Sequence, residues 1–271
     1  MALDPVALER PIGVFDSGIG GLSILQALRA ELPHEDFVYV ADSGHAPYGE
    51  RDDAHVLARS RTVTQHLLSQ WHIQALVIAC NTATAAAIRV LRQEHPELPF
   101  IGVEPALKPA VALSRTRRIG VMATRGTLGS AKFAALLASV SDQADFVCQA
   151  CDGLADAIER DDTAKARALC AQYVQAMGQF GTEAGQIDTL VLGCTHYTFA
   201  MDHLKQLLPG NVGLIDNGAS VARQTRRVLP TLSAESSAPR CVLLSTGELA
   251  PLQRAARRWL SLVKPVKALL L

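Results

Sequence analysis

The feature that most constrains this chain is a repeat. The stretch "LVIACNTATA" (Leu76–Ala85) and the stretch "LVLGCTHYTF" (Leu190–Phe199) each run an apolar strand pattern into a cysteine followed by small polar residues, 114 positions apart. "IGV" at Ile12–Val14 recurs at Ile119–Val121, and "GVEP" (Gly102–Pro105) has a looser echo in "LIDN" (Leu214–Asn217), at offsets of 107 and 112. Near-constant offsets predict two related halves built alike. Short apolar runs alternate with helical patterns throughout, which predicts parallel strands joined by helices. The expected strands are Ile12–Phe15, Phe37–Ala41, Ala75–Ala79, Phe100–Val103, Arg118–Met122, Asp145–Cys148, Thr189–Gly193, Val212–Ile215 and Cys241–Ser245. Helical spacing is expected at Leu22–Leu32, Val56–Trp71, Ala83–Glu94, Thr127–Leu137, Thr163–Phe180, Ala219–Val228 and Pro251–Val263, with Ser233–Ser237 as a loop. The fold class is therefore α/β, with two pseudo-symmetric α/β domains, mostly parallel sheets, and a site in the cleft between them. Ligands in such folds sit beyond the carboxyl ends of strands, where Cys80 and Cys194 fall.

About half of the 271 residues are apolar, enough for substantial cores, and the formal net charge is zero. No dense basic block or aromatic platform is present, so no nucleic acid is expected as a partner. The N-terminus lacks the basic start and apolar centre of a signal peptide, and no apolar run reaches the length of a membrane span. A soluble, cytoplasmic protein with reduced thiols is expected, with no membrane association.

Two thiols approaching one carbon from opposite sides suit inversion of a stereocentre. One thiolate removes a proton and the opposite thiol returns one to the other face. An ordinary thiol pKa of about 8.5 is close enough to neutrality to be tuned for this work. Asn81–Thr82 and Thr195–His196 follow the thiols directly and begin helices or turns, where free N–H groups hold a carboxylate.

Other readings attach to the same residues. A cysteine is often only a small buried hydrophobe, the reading adopted for Cys170 and Cys241. "CQAC" (Cys148–Cys151) resembles half of a zinc or redox motif, but no second CxxC lies near it. Cys80, Cys194 and His196 lack an evident fourth metal ligand, so no metal is expected. "DSGIGG" lacks GxGxxG spacing. Alone, Asp16 reads as a helix N-cap and Glu159 as a solvated helix residue. No lysine lies in a recognisable cofactor-anchoring context, so no cofactor is expected.

The chain resembles the glutamate racemase family of cofactor-independent, two-cysteine amino-acid racemases. The resemblance rests on "GVFDSGIGGLS" (Gly13–Ser23), "YVADSGHAPYGER" (Tyr39–Arg51), "VIACNTATA" (Val77–Ala85), "GVEPALKPAV" (Gly102–Val111), "ATRGTLGSAKF" (Ala123–Phe133) and "LVLGCTHYTF", in the family's order over most of the chain. It implies that Cys80 and Cys194 are the acid/base thiols. Asp16 and Ser17 then hold substrate and assist Cys80. Tyr48, Gly49, Asn81, Thr82, Thr124, Thr195 and His196 contact substrate, and His196 assists Cys194. Glu159 is implied as a second helper of Cys194, although in "ACDGLADAIE" (Ala150–Glu159) the residues between Cys151 and Glu159 depart from the family pattern. The implied ligand is the small molecule L- or D-glutamate, the implied role is supply of D-glutamate for peptidoglycan, and a homodimer is a possible assembly. The implied domains are 1–103 plus 216–271, and 104–215. Rival activities are racemisation of aspartate, a one-thiol decarboxylase or isomerase, and a non-catalytic binding protein.

Overall fold

The structure, a computed structural model, describes residues 10–229 and 239–271; the Ser233–Ser237 loop expected from sequence lies outside them. The chain opens with β1 (Ile12–Asp16), α1 (Leu22–Glu31), β2 (Phe37–Ala41), α2 (Asp53–Trp71), β3 (Ala75–Ile78), α3 (Asn81–Glu94) and β4 (Phe100–Gly102). Next come α4 (Leu107–Leu113), β5 (Arg118–Ala123), α5 (Arg125–Leu128), α6 (Ala131–Ala138), β6 (Asp145–Ala150), α7 (Leu154–Glu159), α8 (Thr163–Met177), β7 (Thr189–Gly193), α9 (Met201–Leu207) and β8 (Gly213–Ile215). The described chain closes with α10 (Gly218–Val228), β9 (Cys241–Ser245), α11 (Leu249–Leu260) and β10 (Lys267–Ala268).

The strands form a six-stranded sheet, β10-β9-β2-β1-β3-β4, and a four-stranded sheet, β6-β5-β7-β8. Every pairing is parallel. The order β2-β1-β3-β4 reappears as β6-β5-β7-β8, so the strand pairs that echo in sequence occupy equivalent places. Ile12 pairs with Ala75 in one sheet, and Ile119 with Thr189 in the other. Cys80 lies two residues beyond the end of β3, and Cys194 one residue beyond the end of β7.

Parallel strands are covered on both faces, so their side chains feed two cores by alternation. Ile12 and Val14 pack with α1, α10 and α11, while Phe15 turns to the opposite core with α2 and α3. In the smaller sheet, Leu190 and Leu192 face α7, α8 and α9, and Val191 faces α4 and α6. Among the described residues no helix is long and apolar enough to cross a membrane.

The departures from expectation are local. The single helix expected over Thr127–Leu137 is two, α5 and α6, because Ser130 caps the second by accepting the Phe133 N–H. Helix α8 stops at Met177, where Gly178 takes φ of 104°. The short helices α4, α7 and α9 and the two-residue β10 give too little periodicity to read from sequence.

Candidate active site

Each thiol stands at the N-cap position of the segment that follows its strand. Cys80 precedes α3 and its sulfur accepts the Ala83 N–H at 3.5 Å. Cys194 precedes a 3-10 segment, Thr195–Ala200. Both are buried, and both line one cavity of about 570 Å³. The six-stranded side contributes Ser17, Tyr48, Gly49, Asn81 and Thr82 to its wall, and the four-stranded side contributes Thr124, Cys151, Glu159, Thr195 and His196. Asp16 does not line the cavity; it sits fully buried one residue behind Ser17.

The surroundings of the two thiols differ. Cys80 Sγ lies 3.8 Å from Ser17 Oγ. Burial is the main force pushing the Cys80 thiol above its ordinary range, and the nearby Asp16 carboxylate adds to it. Asp16 Oδ2 accepts the N–H groups of Gly21 (2.8 Å) and Gly18 (3.2 Å), which turns the chain sharply from β1 into α1. Its Oδ1 is buried without a partner among the described residues. Burial raises Asp16 to about 6, against smaller lowering by His196 and by its backbone donors. Asp16 therefore combines the N-cap-like role read from sequence with a second, unsatisfied oxygen.

Cys194 Sγ lies 3.9 Å from His196 Nδ1, and the other ring nitrogen lies 2.8 Å from Glu159 Oε2. Burial alone pushes the imidazole pKa down. The Cys194 sulfur on one nitrogen and Glu159 on the other outweigh it, and His196 stands well above its usual range. An imidazolium between a thiolate and a carboxylate is the pairing that makes a buried cysteine reactive. Glu159 Oε2 also accepts the Ile19 N–H at 2.8 Å, so the glycine loop after β1 buttresses the Cys194 side. Both nitrogens of His196 being engaged, the Cys-x-His pair leaves no free imidazole ligand. Among the described residues no group of three or more His, Cys, Asp or Glu is placed to hold a metal ion.

Two glycines of "DSGIGG" exist for clearance rather than for a special backbone angle. A Cβ on Gly20 would lie 2.2 Å from His196 Nδ1, and one on Gly18 would lie 2.2 Å from Glu159 Oε2. Gly20→Ala is expected to push the imidazole off Cys194. The expected cost is about 1–3 kcal/mol of stability, as for overpacking, with a loss of turnover on the order of 10²-fold. Thermal unfolding and steady-state kinetics of the variant measure both.

Hydroxyls line the cavity floor. Thr82 Oγ1 lies 3.0 Å from Thr124 Oγ1, joining the helix after Cys80 to the turn after β5. Thr124 caps α5 by accepting the Thr127 N–H at 3.1 Å, and it donates to Thr127 Oγ1 at 2.9 Å. Asn81 Nδ2 donates to the Val103 carbonyl at 3.4 Å, while its Oδ1 is buried and has no partner among the described residues. Tyr48 is buried, and its hydroxyl donates to Asp42 Oδ2 at 2.6 Å.

All the residues singled out from sequence are thus brought to one place, Asp16 from just behind the wall. Sequence reasoning missed Asp42. Its carboxylate takes two bonds from Arg59 (2.9 Å each) and one from Thr246 Oγ1 (2.7 Å), besides Tyr48. Burial opposes its ionisation, and these four donated bonds outweigh it and hold the carboxyl below its usual range. Asp42 fixes the turn that carries Tyr48 and Gly49. Its sole sequence signal was its place in "ADSGHAPYG" at the end of β2. Sequence reasoning also missed Ser43 and Thr127.

The profile of the Asp/Glu/hydantoin racemase family matches residues 22–225. A glutamate racemase from Ectopseudomonas mendocina is 49% identical over 223 residues, which is 82% of each chain. The crystal structure of a glutamate racemase isoform from Bacillus anthracis superposes with a TM-score of 0.85 at 30% identity, covering 97% of this chain and 98% of that one. Escherichia coli glutamate racemase, in complex with L-glutamate and an activator, superposes with a TM-score of 0.82 at 26% identity, covering 96% and 98%. With its two like-ordered sheets and its paired thiols, the chain belongs to the Asp/Glu/hydantoin racemase family, on its glutamate racemase branch.

Proposed function

We propose that the cleft interconverts L- and D-glutamate without a cofactor, by two-base proton transfer at Cα. The observation that carries this reading is the placement of two buried thiols, from equivalent strand ends of two like sheets, on one cavity, with the Ser17 hydroxyl against Cys80 and the His196 imidazole against Cys194. Relatives at 49% identity that are glutamate racemases, and a neighbour bound to L-glutamate, support glutamate as the substrate.

One cysteine, as thiolate, takes the α-proton and becomes a thiol. The opposite thiol gives its own proton to the other face of the carbanion and becomes the thiolate. Asp16 orients and deprotonates Cys80; His196, with Glu159 behind it, does so for Cys194. The carbanion's charge spreads into the α-carboxylate, which fixed donors on Asn81, Thr82, Thr124 and Thr195 hold in place. Ser17, Tyr48 and Gly49 line the same wall as Asn81 and Thr82 and contact the substrate. The unpartnered acceptor on Asn81, on the cavity wall, suits the substrate ammonium, whose donors would otherwise be buried unpaired, and Asp16 acts on that cation as a charge from one residue behind Ser17.

The domains proposed are 1–103 plus 216–271, and 104–215. Sheet membership supports this division: β9 and β10 join β1–β4, while β5–β8 stand together. The physiological role proposed is supply of D-glutamate for peptidoglycan in the cytoplasm, with a homodimer as the proposed assembly. The test is incubation with L-glutamate in D2O without added cofactor. Loss of optical rotation with deuterium entry at Cα is expected. Exchange on aspartate but not glutamate would move the substrate within the family, and no exchange on either would overturn the reading.

A further inference from the structure

We infer that Ser43 is a positioning residue for Cys194, acting across the cleft through Glu159 and His196. The inference rests on the reading that these two residues serve Cys194. Ser43 follows β2 in the six-stranded half, whereas Glu159, His196 and Cys194 all belong to the other half. Its Oγ–H donates to Glu159 Oε1 at 3.1 Å. Glu159 Oε2 takes the Ile19 N–H and the His196 ring at 2.8 Å each. Among the described residues, Ser43 is the donor to Oε1. It therefore fixes the rotation of the carboxylate that the other two donors leave free about the bond to Oε2.

The donor is itself held firmly. The preceding residue, Asp42, is clamped by Arg59, Tyr48 and Thr246, and its backbone N–H donates to the Asp16 carbonyl at 2.9 Å. Ser43 thus ties the turn that carries Tyr48 to the helper of the far thiol. The chain runs Ser43 to Glu159 to His196 to Cys194. Each link fixes the next in the geometry that stabilises an imidazolium beside a thiolate. Neither Cys80 nor its neighbour Ser17 is a link in this chain, so Ser43 acts on the proton transfer at Cys194.

That asymmetry supplies the test, made on the full-length protein with Ser43→Ala and Ser43→Thr. The enantiomers have equal free energy in solution, so kcat/KM must fall equally in both directions, here by about three- to ten-fold for one lost hydrogen bond remote from the reacting carbon. The Cα-deuterium isotope effect is expected to rise in the direction where Cys194 takes the proton and to shrink in the other. Threonine, which keeps the hydroxyl, is expected to restore both. A readout independent of substrate is alkylation of Cys194 by iodoacetamide, followed by peptide mass spectrometry. Its rate near neutral pH is expected to fall about three-fold or more in Ser43→Ala. Isotope effects and alkylation unchanged from wild type in Ser43→Ala, or no restoration by threonine, would overturn the inference. Slowed alkylation in a protein inert toward glutamate would sustain the role of Ser43 and defeat the proposed activity. Racemisation by wild type with an indifferent Ser43→Ala would do the reverse.

Discussion

Replacing either Cys80 or Cys194 with alanine is expected to lower racemisation by about 10²- to 10⁴-fold, the range that a positioned acid/base group contributes. Neither thiol substitutes for the other, because each reaches the cavity from its own sheet. The two variants should differ from a generally damaged enzyme in one respect. Each keeps one thiol with its helper and should still exchange the α-proton of one enantiomer with solvent, with retention of configuration. The enantiomer exchanged should be opposite in the two variants. Proton NMR of each enantiomer in D2O measures this directly. Equal exchange of both enantiomers by a single-thiol variant would mean that a group other than the lost cysteine works on that face. Both substitutions remove a small buried side chain, so an unfolding curve must accompany the kinetics.

Asp16→Asn is expected to split function from stability. Burial raises the carboxyl from 3.8 to about 6, which corresponds to about 3 kcal/mol in favour of the protonated form. The folded state therefore holds this proton more tightly than the unfolded chain does. Its contribution to stability is full below pH 3.8 and is lost as pH rises through about 6. At neutral pH the wild type carries a buried, half-satisfied carboxylate. Asparagine keeps an oxygen for Gly18 and Gly21 and removes the charge. Unfolding free energy at pH 7.5 should rise by up to about 3 kcal/mol, less the cost of the amide's new donors. The gain should vanish below about pH 4. Activity should fall by about 10²- to 10³-fold, because the residue no longer accepts a proton beside Cys80. In the wild type the same group predicts that kcat/KM declines as pH drops through about 6. Denaturant titrations at pH 4 and 7.5, with a pH–rate profile, check both halves. A variant destabilised at pH 7.5 would show that the Asp16 charge is compensated in the fold.

A buried carboxylate that costs stability fits a site selected for chemistry. Asp16 and Asn81 each leave a buried oxygen unpaired, the kind of local inconsistency that marks function rather than packing. Asp188, by contrast, has both oxygens satisfied by Ser114, Arg115 N–H, Thr116 N–H and Thr189. It serves only to fold the turn before β5.

The amino-acid sequence by itself determined the strands β1 to β9, the repeat, and the two cysteines at its matching points. These are local properties: the alternation of apolar residues, the break at a strand end and the small polar residues that start the next turn all lie within a few positions. The repeat carried further, since strands that echo each other take the same places in β2-β1-β3-β4 and β6-β5-β7-β8. Other features belong to the tertiary structure alone. The insertion of β9 beside β2 pairs Phe37 with Cys241, and no spacing within either segment encodes that. Ser43 meets Glu159 116 positions away, and the clearance at Gly18 and Gly20 answers to side chains of the other half. Arg59 and Thr246 converge on Asp42 from a helix flank and a strand end. A hydrogen bond needs its partners within about 3 Å, and only the crossovers of two sheets decide which distant side chains come that close.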